Sequence, residues 1–149
     1  MFCGRSGFTQ YQFVVPTVDS ALALVDCVNR AGIHPLLTTV KALGEQSCGM
    51  LSFPTPGLTV ALDFALPAHQ RQRQRLLELL ATLDEDVARA GGRVYLAKNA
   101  ALTKDLMGVM YLQVDAFRRQ QQLADPHGRL QSDLARSLGI CQSVGGQYS

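Results

Sequence analysis

Between residues 10 and 97 the hydrophobic pattern changes period in the order strand, helix, strand, strand, helix, strand, and that order alone leaves few folds open to the chain. Residues 10–16 alternate, with Tyr11, Phe13 and Val15 on one face and Gln10 and Gln12 on the other. Thr17 then offers an N-cap, the spacing Val18, Leu22, Val25, Val28 predicts one stripe of an amphipathic helix, and Gly32 stops it. Residues 36–43 predict a second strand, with Thr39 and Lys41 on one face and Val40 and Ala42 on the other. The prolines and glycines between Gly44 and Gly57 exclude regular structure. Residues 58–64 predict a third strand, Val60, Leu62 and Phe64 facing one way and Thr59, Ala61 and Asp63 the other. A long helix over about 68–90 carries Leu76, Leu80, Leu83 and Val87 and ends at Gly91-Gly92; residues 93–97 predict a fourth strand. This is the split arrangement of ferredoxin-like domains: an α+β fold, β-α-β-β-α-β in sequence, with an antiparallel sheet and both helices on one face.

With helices on one side only, the other side of the sheet carries Gln10, Gln12, Thr39, Lys41, Thr59, Ala61, Asp63 and Tyr95. Two amides at alternate positions each bring a pair of donors and an acceptor, which suits recognition of hydroxyl or carbonyl groups. The alternative is that they form only the wet side of the strand, and alternation does not choose between the two.

After Lys98 the pattern changes. Residues 103–110 and 113–123 read as helices, Asp125-Pro126-His127-Gly128 as a turn, and Ser132 as the cap of a short helix ending at Leu138. Apolar stripes are too few here for a core of its own. The chain is therefore expected to divide into a domain over 1–98 and a helical return segment over 99–149 that rests on something else. Left uncovered, Leu106, Met110 and Phe117 would promote self-association.

The totals close off other classes. A chain of 149 residues, 47% hydrophobic and 17% charged, is long enough to bury one core and too short for two comfortable domains. Net charge is +2, and Arg71, Arg73 and Arg75 are interleaved with glutamines rather than aromatic rings, which suits a solvated helix turn better than a nucleic acid. No apolar run approaches the roughly 20 residues that cross a bilayer, and no leader pattern is present, so cytoplasmic residence is expected. Cys3, Cys27, Cys48 and Cys141 show no ligand spacing, and His34, His69 and His127 stand alone; reduced thiols and no metal site are expected.

Four segments then stand out: Gly7-Phe8-Thr9-Gln10-Tyr11-Gln12-Phe13-Val14-Val15-Pro16; Ser52-Phe53-Pro54-Thr55-Pro56-Gly57 with Asp63-Phe64; Gly91-Gly92-Arg93-Val94-Tyr95-Leu96-Ala97-Lys98; and Asp125-Pro126-His127-Gly128 with Ser132-Asp133-Leu134. In this order and spacing they resemble the C-terminal part of FAD-linked oxidoreductases of the vanillyl-alcohol-oxidase superfamily. The resemblance runs from about Gly4 to Leu138 and is closest to the decaprenylphosphoryl-ribose oxidase branch, with the aldonolactone oxidases further off.

The resemblance implies a substrate cap whose open sheet face roofs the isoalloxazine ring of FAD, an alcohol or sugar substrate between the two, and a return segment on the FAD-binding domain. It implies substrate contacts at Gln10, Gln12 and Thr59, a pocket lysine at Lys41, and a tyrosine and a lysine beside flavin and substrate at Tyr95 and Lys98. Lys98 and Lys41 become the catalytic candidates. An ammonium beside the flavin stabilises the negative charge that arrives with hydride, and a buried lysine can take the alcohol proton. The chain departs from the family pattern at Asn99 (usually aspartate), Leu58 (often tryptophan), Ala61 (cysteine in some members) and Leu112 (usually proline). No glycine-rich loop opens a helix for a pyrophosphate, so the chain alone is not expected to hold FAD. Two forms stay open. One is a fragment or truncated form that needs an FAD-binding domain or subunit; the other is a free-standing ferredoxin-like module binding a small polar ligand or a protein.

Overall fold

A computed structural model describes residues 7–98 and 102–141; Cys3 and Asn99 fall outside them. The elements follow the expected order: β1 (Phe8–Val15), α1 (Val18–Arg30), β2 (Leu37–Leu43), β3 (Gly57–Ala65), α2 (Gln70–Arg89), β4 (Arg93–Val94), then α3 (Lys104–Met110), α4 (Val114–Ala124) and α5 (Asp133–Ser137). The strands form one sheet in the order β2-β3-β1-β4, and every neighbouring pair is antiparallel. This is the ferredoxin-like α+β arrangement followed by a helical C-terminal part.

Alternation decides what the core contains. Tyr11, Phe13 and Val15 of β1 and Val60, Leu62 and Phe64 of β3 are buried against Leu76, Leu80, Leu83 and Val87 of α2. Each such side chain contributes about 1.5–3 kcal/mol when taken out of water. From α1 the buried residues are Ala21, Leu24 and Val28, which corrects the predicted stripe: Val25 is half-buried, while Val18 and Leu22 are exposed. The helix turns its Ala21–Leu24–Val28 arc to the sheet, where the small Ala21 permits close approach. Thr17 caps α1 as expected, its hydroxyl accepting the Ser20 N–H, and Gly32 beyond the last turn takes φ +67°.

The fourth strand is shorter than predicted. β4 holds only Arg93 and Val94, after which Leu96–Lys98 close a single 3-10 turn. The Tyr95 N–H still reaches the Gln12 carbonyl at 2.7 Å, but the Lys98 N–H folds back to the Tyr95 carbonyl at 3.0 Å and ends the ladder. Gly92, just before β4, has no room for a side chain: a Cβ there would stand 2.4 Å from the Val14 carbonyl oxygen. Gly57, which opens β3 at φ +149°, would meet the Val15 carbonyl oxygen at 2.2 Å.

The tail also differs from expectation. Ser132 caps α5 as the sequence put it, and Thr103, read as the first residue of a helix, instead caps α3 by accepting the Leu106 N–H. Yet Met110, expected to be uncovered, is buried together with Met107, Tyr111, Val114 and Leu138 in the same core as the sheet, and Leu106 and Phe117 are half-buried. The reason lies at the edge of β4. The Val94 N–H donates to the Met110 sulfur at 3.4 Å, and the Val94 carbonyl accepts the Tyr111 hydroxyl at 2.7 Å, so the tail supplies what a further strand would have supplied. Among the described residues no helix is long and apolar enough to cross a membrane.

One polar pair lies inside the core. The Tyr11 hydroxyl of β1 donates to Asp84 Oδ1 of α2 at 2.7 Å, both residues are fully buried, and Asp84 Oδ2 has no partner among the described residues. Burial raises the Asp84 carboxyl to about 6, with the Tyr11 bond acting the other way; burial and the Asp84 charge raise the Tyr11 hydroxyl. The folded state therefore holds the Asp84 proton more tightly than the unfolded chain does. This contribution to stability is complete below about pH 4 and is lost as pH rises through about 6, on the order of 3 kcal/mol. Denaturant titrations between pH 4 and 8 should show that decline, and Asp84→Asn should flatten it; an equal decline in the variant would place its origin elsewhere.

Candidate functional site

The register of the strands carries one polar face across the sheet. Gln10 stands opposite Asp63, Gln12 opposite Ala61 and Val14 opposite Thr59, while Thr39 and Lys41 of β2 stand opposite Ala61 and Thr59. Tyr95 extends β4 beside Gln12. Gln10, Gln12, Thr59, Lys41 and Tyr95 thus share the face opposite the helices, as alternation required. Lys41 is exposed at the β2 margin. Lys98 is half-buried at the end of the 3-10 turn after Tyr95 and joins none of the ion pairs among the described residues.

Hydrogen bonds hold the two amides in one orientation, and chemistry alone dictates which. Gln10 Nε2 donates to Asp63 Oδ1 at 2.9 Å, and an ionised carboxylate can only accept. Thr59 gives its single proton to the Phe13 carbonyl at 2.8 Å, so towards Gln12 its oxygen must accept, and Gln12 Nε2 donates to it at 3.0 Å. Each glutamine therefore commits one N–H to the sheet. Its carbonyl oxygen and second N–H make no hydrogen bond among the described residues. A face built this way offers two fixed acceptors to hydroxyl donors.

One end of the face is covered. Arg93, opposite Val14, donates from Nη1 to the Ser52 carbonyl at 2.8 Å and from Nη2 to Gln46 Oε1 at 3.2 Å, and its guanidinium lies 5.7 Å from the centre of the Tyr111 ring. These bonds draw the β2–β3 loop over Val14, which is buried, and set Phe53 against Tyr95 with ring centres 4.9 Å apart. Phe53 and Arg93 were not singled out as site residues from sequence, although both lie in the segments that carry the resemblance. A lone arginine at the start of a strand reads as a solvated charge, and a loop phenylalanine gives no sign of where it lands. Asp63 was placed on the face but not recognised as the group that orients Gln10. Among the described residues, no three His, Cys, Asp or Glu side chains are grouped to hold a metal ion.

Fold and face together define an α+β domain with one side given to the helices and the other to oriented amide, hydroxyl and ammonium groups. Over 139 residues, 92% of its length, the chain is 37% identical to decaprenylphosphoryl-beta-D-ribose oxidase of Mycolicibacterium smegmatis, and it is a homologue of part of that protein. It is also 40% identical over 114 residues, 76% of its length, to a Streptomyces coelicolor protein described as an uncharacterized protein in the mprA 5′ region. The chain spans 29% and 28% of the lengths of these curated relatives. No protein-family model matches it.

If Thr59 fixes the Gln12 amide, Thr59→Val, which keeps the shape and removes the hydroxyl, should lower the unfolding free energy by about 1–2 kcal/mol and shift the Gln12 side-chain amide resonances in NMR spectra. Unmoved Gln12 resonances would mean the amide is held by something else.

Proposed function

We propose that the chain is the substrate side of an FAD-dependent oxidoreductase that oxidises an alcohol carbon of a sugar, a polyol or a polyprenyl-phosphoryl sugar. The observation that carries this is the pair of outward amide carbonyls of Gln10 and Gln12, oriented by Asp63 and Thr59 beside Tyr95, in a chain homologous to part of a sugar-lipid oxidase. A flavin bound against this face supplies the hydride acceptor.

The residues of the chain divide the remaining work. Gln10 and Gln12 accept hydrogen bonds from substrate hydroxyls and hold the carbinol carbon in place. The Lys98 ammonium stabilises negative charge developing beside it, and Tyr95, backed by Phe53, forms a wall of the site. The alcohol proton is taken by a lysine acting as the neutral amine: Lys41 Nζ where Lys98 serves as the ammonium, or Lys98 Nζ in its place, which then becomes the ammonium as it accepts the proton. An ammonium and a phenol at the end of β4 fit the edge of a flavin ring, whereas the described residues include no glycine loop opening a helix for its pyrophosphate. An FAD-binding domain or subunit is accordingly the proposed partner. A second reading, a self-sufficient module binding a small polar ligand, is favoured by the tail: Met107, Met110, Tyr111 and Leu138 are buried in the chain's own core.

On the first reading the purified chain takes up no flavin colour from added FAD, and recovery of a yellow protein with stoichiometric FAD would contradict it. Exchanging this chain for the matched part of the Mycolicibacterium smegmatis oxidase should give a chimera whose flavin is reduced by that enzyme's substrate, and Lys98→Met should slow the reduction roughly tenfold or more. An unchanged rate would remove Lys98 from the site. A folded chimera that binds flavin but is not reduced, with sugar binding by the isolated chain, would favour the module.

A further inference from the structure

The sheet has two edges, and the chain treats them in opposite ways. At β4 the backbone of Val94 is taken up by Met110 and Tyr111. At the other end β2 pairs only with β3, and no described element lies along its outer side. Residues 37–43 contain one charge, no proline and no glycine, so the edge lacks the devices that usually discourage pairing. Its helix-side residue Val40, in register with the buried Val60, is 57% exposed. On the same side of the sheet α1, which packs on β3 and β1, leaves Val18 and Leu22 57% and 62% exposed. The end of α1 is tied to α2 through Arg75 Nη2 and the Ala31 carbonyl. At 100° per residue Leu22 lies about half a turn round the helix from Ala31, on the flank away from α2.

We propose that two copies of this chain pair antiparallel through β2, about a two-fold axis at Val40, and so double the four-stranded sheet. What selects a second copy is the self-complementarity of the strand. In this register Leu37 meets Leu43 of the other copy, Thr38 meets Ala42, Val40 meets Val40, and Lys41, the one charge, meets the neutral Thr39. Sliding the strands by two residues in one direction sets Lys41 against Lys41, a like-charge pair directly opposite. Sliding them the other way sets Leu43 against Pro35, which has no ladder donor. The pairing keeps all helices on one side and brings the two Val40 side chains together between the α1 flanks that carry Val18 and Leu22. On the polar side it places Lys41 of each copy beside Thr39 of the other, so the two candidate sites adjoin across the axis.

The solution mass of the intact chain, measured by light scattering up to about 100 µM, should rise from monomer to dimer, and amide exchange should slow with concentration in residues 37–43. Val40→Lys and Val40→Glu should each weaken the dimer roughly a hundredfold, and mixing the two variants should restore it. Circular dichroism of each variant checks that the fold persists. Thr39→Glu, which sets a carboxylate opposite Lys41 twice over, should tighten the dimer roughly three- to tenfold and keeps the proposal testable if a Val40 variant does not fold. A monomer throughout the range would overturn the proposal, as would a dimer indifferent to both Val40 variants. Protection of β2 that appears only on adding the remainder of the Mycolicibacterium smegmatis oxidase would also overturn it, and would assign the edge to that partner.

Discussion

The molecule is joined at Val94. Its side chain is buried in the core under α2, its N–H and carbonyl are taken by Met110 and Tyr111, and its neighbours on either side reach into the polar face. Arg93 ties down the β2–β3 loop and lies over the Tyr111 ring, while Tyr95 returns to Gln12. A buried backbone group left without a partner costs about 1–3 kcal/mol, so the tail cannot lift from β4 without disturbing the strand that carries Tyr95 and leads to Lys98. The position of the β4 end of the candidate site thus depends on a helix that contributes no residue to it.

Most of the architecture could be read from the chain because it rests on local chemistry. Period-two alternation put Tyr11, Phe13 and Val15 inside and Gln10 and Gln12 outside, and a threonine and a serine cap marked the starts of α1 and α5. The failures involve partners distant in sequence, except at the end of β4, where a local turn intervenes. Val18 and Leu22 satisfy helical spacing, yet the arc that meets the sheet is centred on Leu24, a choice made by the position of α2 and not by α1. Arg93 to Ala97 has strand composition, but the ladder stops when Lys98 bonds back to Tyr95. Asp84 sits in a helix rich in charge and was not singled out, while the Tyr11 hydroxyl that donates to it comes from the first strand. For the site, alternation was enough to gather Gln10, Gln12, Thr59, Lys41 and Tyr95 on one face. It could not say how the amides point, since that follows from where Thr59 sends its one proton.

β1 carries polar chemistry on both of its faces and treats it differently on each. Towards the helices, Tyr11 meets a carboxylate that keeps one oxygen unpartnered among the described residues, an arrangement that leaves part of the stability dependent on protonation. Towards the open side, the Gln10 and Gln12 pairings satisfy the groups they engage and leave spare acceptors at the surface. The first arrangement makes the core responsive to pH. The second gives the surface a fixed hydrogen-bonding pattern.

Gly57 and Gly92 bear on how such a chain can diverge. They flank the last two carbonyls of β1, at 2.2 and 2.4 Å from where a side chain would begin; Gly57 opens β3 and Gly92 immediately precedes β4, the two strands that border β1. No larger residue can enter either position unless backbone moves on both sides of the contact. Side chains on the open face, such as that of Ala61, can therefore change without moving the strands that carry them. A shift of the strands themselves is closed off by two atoms that are absent.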